Sequence, residues 1–194
     1  MKKAQNDSFK ISRLINKHEP EIDRFDQYLK KVGKEGIDRN VYFTIDYCRG
    51  GVVQEVERLI EVIEDNISTY VNLSITLGFT GYAISAAGFL FVYFTRYRLN
   101  SRVFVRNFTP LCVVYHKPRL VHATTKKLGF ANPPPVGFAK NDVILINRLD
   151  TLFNDVFQSL ITHFLDVGVV IEPHLIASYN TNGDAAFTFP KGAQ

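Results

Sequence analysis

Thirty consecutive residues, 66–95, carry no charge, and a run of that length has to be buried in something. A membrane-spanning helix is one solution, since about 20 apolar residues cross a bilayer. The first part of the run argues for another. Val71, Leu73, Ile75, Leu77 and Phe79 alternate with Asn72, Ser74, Thr76, Gly78 and Thr80, the period of two that marks a half-buried β-strand. Ser, Thr, Asn and Gly also dilute the run below a convincing span. Gly81 and Gly88, with Ala83, Ala86 and Ala87 between them, separate this strand from a second β-rich run, Phe89–Leu99. The segment is therefore expected inside the chain's own core, with a membrane anchor through 71–95 as an alternative.

A chain of 194 residues, 46% apolar and 22% charged, is long enough to supply that core as one domain or two small ones. A disordered tail, a coiled-coil rod and a collagen-like fibre would each show a different composition. Cys48 and Cys112 are too few for a disulfide scaffold and lack metal-pair spacing, so a reduced compartment is expected, with one bridge left open. The basic start, Met1 to Asp7, is followed by no apolar stretch of signal-peptide type. The expected location is cytoplasmic, or a virion if the chain is viral.

Periodicity divides the chain into elements. Ile11, Ile15, His18, Ile22, Phe25, Leu29 and Val32 recur at spacings of four and three, the seam of one helix packing on another. Pro20 interrupts it, which predicts one helix at about 9–19 and another at about 21–32, closed by Gly33. Residues 1–40 would then form an N-terminal helical arm, with Ile11, Ile15, Ile22, Phe25 and Leu29 as its interface to a partner subunit. An intramolecular hairpin fits the same pattern. Residues 41–47 read as a strand, Arg49-Gly50-Gly51 as a turn, and 52–68 as a helix with an apolar face and a strongly acidic exterior.

Asn100-Ser101 predicts a tight hairpin between Phe89–Leu99 and Arg102–Thr109, with a short strand at Leu111–Tyr115 and a long loop at about 116–141. Val143–Ile146 reads as a strand. Leu149–Leu165 is the clearest helix, ended by Gly168, and Val169–Glu172, Leu175–Tyr179 and Ala185–Phe189 read as strands. The expected fold is α+β: antiparallel β-hairpins packed with about three to four helices over 41–194, preceded by the helical arm.

Charge is unevenly placed. All 19 acidic residues lie outside 66–141, while Arg96, Arg98, Arg102, Arg106, Lys117, Arg119, Lys126, Lys127 and Lys140 lie inside it. Such a field suggests an anionic partner, either nucleic acid or an acidic protein surface. The same cations could equally meet the acidic helices of this chain or of a second copy.

Recognisable chemistry is sparse. Nucleophile-elbow, P-loop, zinc-protease, EF-hand and dinucleotide fingerprints are all absent. Arg49-Gly50-Gly51 before a helix is the nearest approach to an anion cradle, and an ordinary strand-to-helix turn explains it too. No two of His18, His116, His122, His163 and His174 have ligand spacing on a helix, and His116 and His122 read as solvated or phosphate-facing residues flanking a basic loop. Ala87-Gly88-Phe89-Leu90-Phe91-Val92-Tyr93-Phe94 resembles the RNP1 strand of the RNA-recognition motif. That resemblance implies Phe89 and Phe91 as base-stacking positions. It departs from the family at Ala87, where a basic residue is expected, and at Leu90, where a small one is.

Taken alone, the sequence points to a non-enzymatic assembly subunit of a large complex, of tail, ring or connector type, whose partners are copies of itself and other subunits. No catalytic residue, cofactor, metal or small-molecule substrate is expected. The alternative is a nucleic-acid-binding module using Arg96, Arg98, Arg102, Arg106, Lys117, Arg119, Lys126 and Lys127, with binding that weakens steeply as salt rises.

Overall fold

The structure is a computed structural model describing residues 8–122 and 124–192, so the basic start at Met1–Asp7 lies outside the described residues. Strands and helices alternate along the first two-thirds of the chain. β1 (Phe9–Ser12) leads to α1 (Pro20–Gly33), β2 (Arg39–Cys48) to α2 (Val53–Thr69), and β3 (Leu73–Ile84) to α3 (Ala86–Val92), which runs into a π-helical turn at Tyr93–Tyr97. β4 (Val103–Asn107) and β5 (Leu111–Tyr115) follow. After a loop holding the two-residue strands β6 (Leu120–Val121) and β7 (Leu128–Gly129) come α4 (Lys140–Asp166), α5 (Pro173–Asn180) and β8 (Ala185–Phe189).

The α+β content is shown, but the pairing differs from the expected hairpins. β1, β2 and β3 lie side by side in sequence order, all parallel. β4 pairs in parallel with the first part of β3 and β5 with its last part; only β8, against β5, is antiparallel in this sheet. Each parallel step needs a crossover, which α1, α2 and α3 provide. α1, α2, α3 and α4 pack in succession beside one another. The long β3 is buried along most of its length because helices cover it and strands flank it on both sides. Its period of two predicts a half-buried strand, but residues 75–79 are buried on both faces, as in a covered parallel sheet.

Several segments read as strands are helical. Residues 89–97, rich in aromatic and β-branched residues, form α3 and the π turn because every side chain of α3 is buried, and burial overrides intrinsic β preference. Asn100-Ser101 therefore joins a helix to β4 rather than closing a hairpin. The RNP1-like octapeptide is helical, with Phe89 and Phe91 in the core against Phe153 and Phe79, so neither ring is open to a base. Residues 143–146 belong to α4, and Leu175–Tyr179 to α5, which starts at Pro173 as a first-turn proline should. Residues 169–172 form no strand. At the other end, the helix expected at 9–19 is instead the edge strand β1 and an irregular segment. Ile11, Ile15, Ile22, Phe25 and Leu29 are all buried in this chain's own core.

Among the described residues, no helix is long and apolar enough to cross a membrane. Both cysteines are free thiols.

Candidate functional site

A parallel sheet gathers the C-terminal ends of its strands along one edge, and in open sheets of this kind ligands sit in the crevice outside those ends. Here that edge collects the residues after β1, the Arg49–Val52 turn after β2, Ser85 after β3 and His116 after β5.

Ser85 is the single residue between β3 and α3. Its backbone has φ +59° and ψ −124°, a region that a residue with a Cβ enters only at a cost of about 1–3 kcal/mol. The surroundings enforce it. The Ser85 N–H donates to the Val114 carbonyl at 2.9 Å, and the Ser85 carbonyl accepts from Phe89 N–H at 2.8 Å. Small residues let the helix begin this close to the strands: Ala83, Ala86 and Ala87 are fully buried, and a Cβ on Gly88 would stand 2.9 Å from the Val114 oxygen. A serine before a helix usually caps it with its hydroxyl, yet the Ser85 hydroxyl makes no such bond. A partly exposed hydroxyl held on a sharp strand-to-helix turn is the arrangement of an activated nucleophile.

His116 follows β5, the strand paired with the end of β3, and makes no hydrogen bond to Ser85. The β3–β5 register runs Tyr82↔Cys112 to Ile84↔Val114, so the next step sets Ser85 beside Tyr115, with His116 one residue on and neighbouring strands about 4.8 Å apart. The imidazole is buried, only 4% exposed. Its Nδ1 lies 2.7 Å from the Lys117 carbonyl, and its Nε2 is buried without a hydrogen-bond partner. A carbonyl can only accept, so Nδ1 carries the proton and Nε2 keeps a free lone pair. Burial, followed by the Arg119 charge, moves the His116 pKa below that of a free imidazole, against the Lys117 carbonyl and Asp184. It is therefore neutral at pH 7 and fit to accept a proton. On its other side, the antiparallel β5–β8 register ends at Tyr115↔Ala185, and one step further brings Asp184 opposite His116, where its charge favours an imidazolium. His116 is thus the first residue of the loop after β5, as expected, but it is buried rather than solvated.

The Gly50-Gly51 turn completes the group. Gly50 has φ +89°, and a Cβ there would fall 2.6 Å from Ser85 Cβ and 3.2 Å from the Ala86 nitrogen. Gly51 has φ +137° and crosses the Ile15 carbonyl equally closely. Only glycine fits either position. The N–H groups of Gly50, Gly51 and Ala86 have no acceptor among the described residues, and the Gly50 backbone lies against the Ser85 turn. The glycine pair read as an anion cradle faces the Ser85 turn rather than a free helix N-terminus.

The cations singled out by sequence are dispersed. Arg102 donates to the Ile67 and Tyr70 carbonyls at the end of α2. Arg98 pairs with Glu64 at 3.4 Å and Lys117 with Asp150 at 3.9 Å. Arg96 is half-buried and donates to its neighbour's carbonyl. Arg106 is exposed on β4, and Arg119, Lys126 and Lys127 lie in the loop around β6 and β7. On the acidic helix, Glu57 meets Arg148 and Glu55 meets Arg58, so charges of this one chain answer each other.

No group of His, Cys, Asp and Glu among the described residues could hold a metal ion. Ser85 escaped sequence reading because the glycines of the usual elbow fingerprint are replaced by Ala83 and Ala87, and His116 read only as a residue flanking a basic loop. The signal that could have found them is positional: Gly-Gly, small-x-Ser-x-small and His each end a separate strand of one parallel sheet. No protein-family model and no curated protein matches the chain.

Proposed function

We propose that the chain is a serine hydrolase that cleaves an ester, amide or peptide bond by acyl transfer to Ser85. The observation that carries this reading is the backbone of Ser85, a non-glycine residue held in a glycine-only conformation at the end of a central strand. In the mechanism it supports, Ser85 Oγ attacks the substrate carbonyl while His116 Nε2 accepts the hydroxyl proton. The N–H groups of Ala86 and the Gly50-Gly51 turn stabilise the oxyanion. His116 then protonates the leaving group, and the acyl-serine ester forms. Water, deprotonated by the same nitrogen, releases the acid and restores Ser85.

The test is covalent. A neutral alkyl fluorophosphonate should add one phosphonyl group to the folded chain at Ser85, as read by peptide mass spectrometry, and Ser85→Ala should remain unlabelled. An unlabelled wild type, or labelling undiminished in Ser85→Ala, removes the hydrolase reading.

The assembly-subunit reading draws on a different observation. Leu165, Val167 and Val170, at and beyond the end of α4, are exposed, Val170 by 86%. Neighbouring apolar side chains in water favour self-association. It is compatible with hydrolysis, and a concentration-independent monomer in sedimentation equilibrium would exclude it.

A further inference from the structure

A cavity of about 560 Å³ opens on the same edge, lined by Arg13, Leu14, Tyr47, Arg49 and Tyr82. Neither Arg13 nor Arg49 has a carboxylate or carbonyl partner for its guanidinium among the described residues. The nearest acid in sequence, Asp46, is engaged by Lys10 at 2.6 Å and by Thr80. Two positive charges thus line one cavity, and among the described residues none answers them.

The lining is built rather than incidental. Arg49 N–H donates to the Arg13 carbonyl at 2.7 Å, and Arg13 N–H to the Asp46 carbonyl at 3.1 Å, which ties the two arginines' backbones together. Arg13 and Tyr47 both have positive φ, at +69° and +45°. The β2–β3 register shifts between Asp46 and Cys48, a bulge of the kind that re-aims side chains next to functional sites. Tyr47 meets Tyr82 edge-on at 5.4 Å between ring centroids. Its ring occupies the space over Gly81, where a Cβ would come within 2.3 Å of it.

The cavity's lining leads in sequence to the Ser85 turn. Arg49 immediately precedes Gly50, and Tyr82 lies three residues before Ser85 on β3, about 10 Å at the rise of a strand. We propose that this cavity binds an oxyanion group, carboxylate or phosphate, borne on an apolar or aromatic segment, and that it selects such substrates for Ser85. The guanidinium pair supplies charged donors for the oxyanion, and Leu14 with the two tyrosines supplies the apolar wall. The reaction rests on the hydrolase reading; the binding site does not.

The experiment therefore measures binding without turnover. Full-length Ser85→Ala is titrated by calorimetry with 3-phenylpropionate, with phenethyl phosphate, and with the neutral 3-phenylpropanamide. At least one anion should bind with 1:1 stoichiometry and at least about tenfold tighter than the amide, and the tighter anion names the group. Adding Arg13→Met and Arg49→Met should bring the anion-to-amide ratio within about twofold, with an unchanged melting temperature showing that the fold is intact. No anion binding, equal affinity for anion and amide, or a ratio that survives loss of both arginines overturns the proposal. Failed fluorophosphonate labelling together with arginine-dependent anion binding would remove the hydrolase and leave the site standing.

Discussion

At the scale of single residues, the chemistry depends on His116 being a base at neutral pH. Its unpartnered Nε2 is basic only while the ring is neutral, and burial lowers its pKa below 6.5. Ester hydrolysis should accordingly rise with pH with its midpoint below pH 6.5, and His116→Gln should lose about three orders of magnitude in kcat. A pH–rate midpoint above 7 would remove His116 from the role. The same shift has a consequence for stability. The unfolded chain takes up the proton more readily than the folded one, so stability contributed by neutral His116 is complete above about pH 6.5 and declines as pH falls through and below that value. The drop in urea midpoint between pH 7.5 and 5.5 should be smaller in His116→Gln than in the wild type.

At the scale of elements, side chains fasten the helix ends that the backbone leaves open. α2 ends with no basic residue in its last turn, and its exposed carbonyls are met from another element. Arg102 donates to Ile67 at 2.6 Å and to Tyr70 at 2.9 Å, which also fixes the start of β4 against the α2–β3 turn. Arg102→Met keeps much of the stem and removes the donors, so urea unfolding should show a loss of about 1–3 kcal/mol. An unchanged midpoint would mean that water replaces the guanidinium at no cost. At the opposite end of α2, the buried Glu55 carboxylate accepts the N–H groups of His18 and Glu19. Burial works against its ionisation, but Arg58 and those two donors outweigh it and hold the pKa below the usual glutamate value. The segment that begins with Arg13 is thereby tied to the helix that follows Gly50-Gly51.

At the scale of the whole molecule, one aromatic cluster joins the nucleophile's helix to the C-terminal part of the chain. Phe89 on α3 stacks on Phe153 of α4 at 4.2 Å. Tyr115, the residue before His116, donates its hydroxyl to the Phe153 carbonyl at 2.9 Å, and Phe157 stacks on Tyr179 of α5 at 3.8 Å. Emptying the centre of this cluster should loosen the packing that supports α3 and the end of β5 together. Phe153→Ala is expected to cost about 3–5 kcal/mol and to weaken fluorophosphonate labelling of Ser85 although Phe153 touches no substrate. Full labelling at a lowered melting temperature would show that the Ser85 turn holds without α4.

By itself the sequence settled those things that follow from local periodicity: α1 after Pro20, the amphipathic α2 and the C-terminal part of α4. It also placed the glycine pair at a strand-to-helix turn. It could not decide whether the aromatic stretch at 89–97 was strand or helix, because a fully buried segment shows no polar face from which a period can be read. Nor could it reveal the candidate site. Ser85 and His116 are thirty-one positions apart in the chain, each unremarkable among its neighbours, and only the parallel pairing of β3 with β5 brings the ends of their strands together. Strand order is set by long-range packing of whole faces, which no short window of residues contains, and with it came the one feature on which the proposed role of Ser85 rests: a backbone held where serine alone would not go.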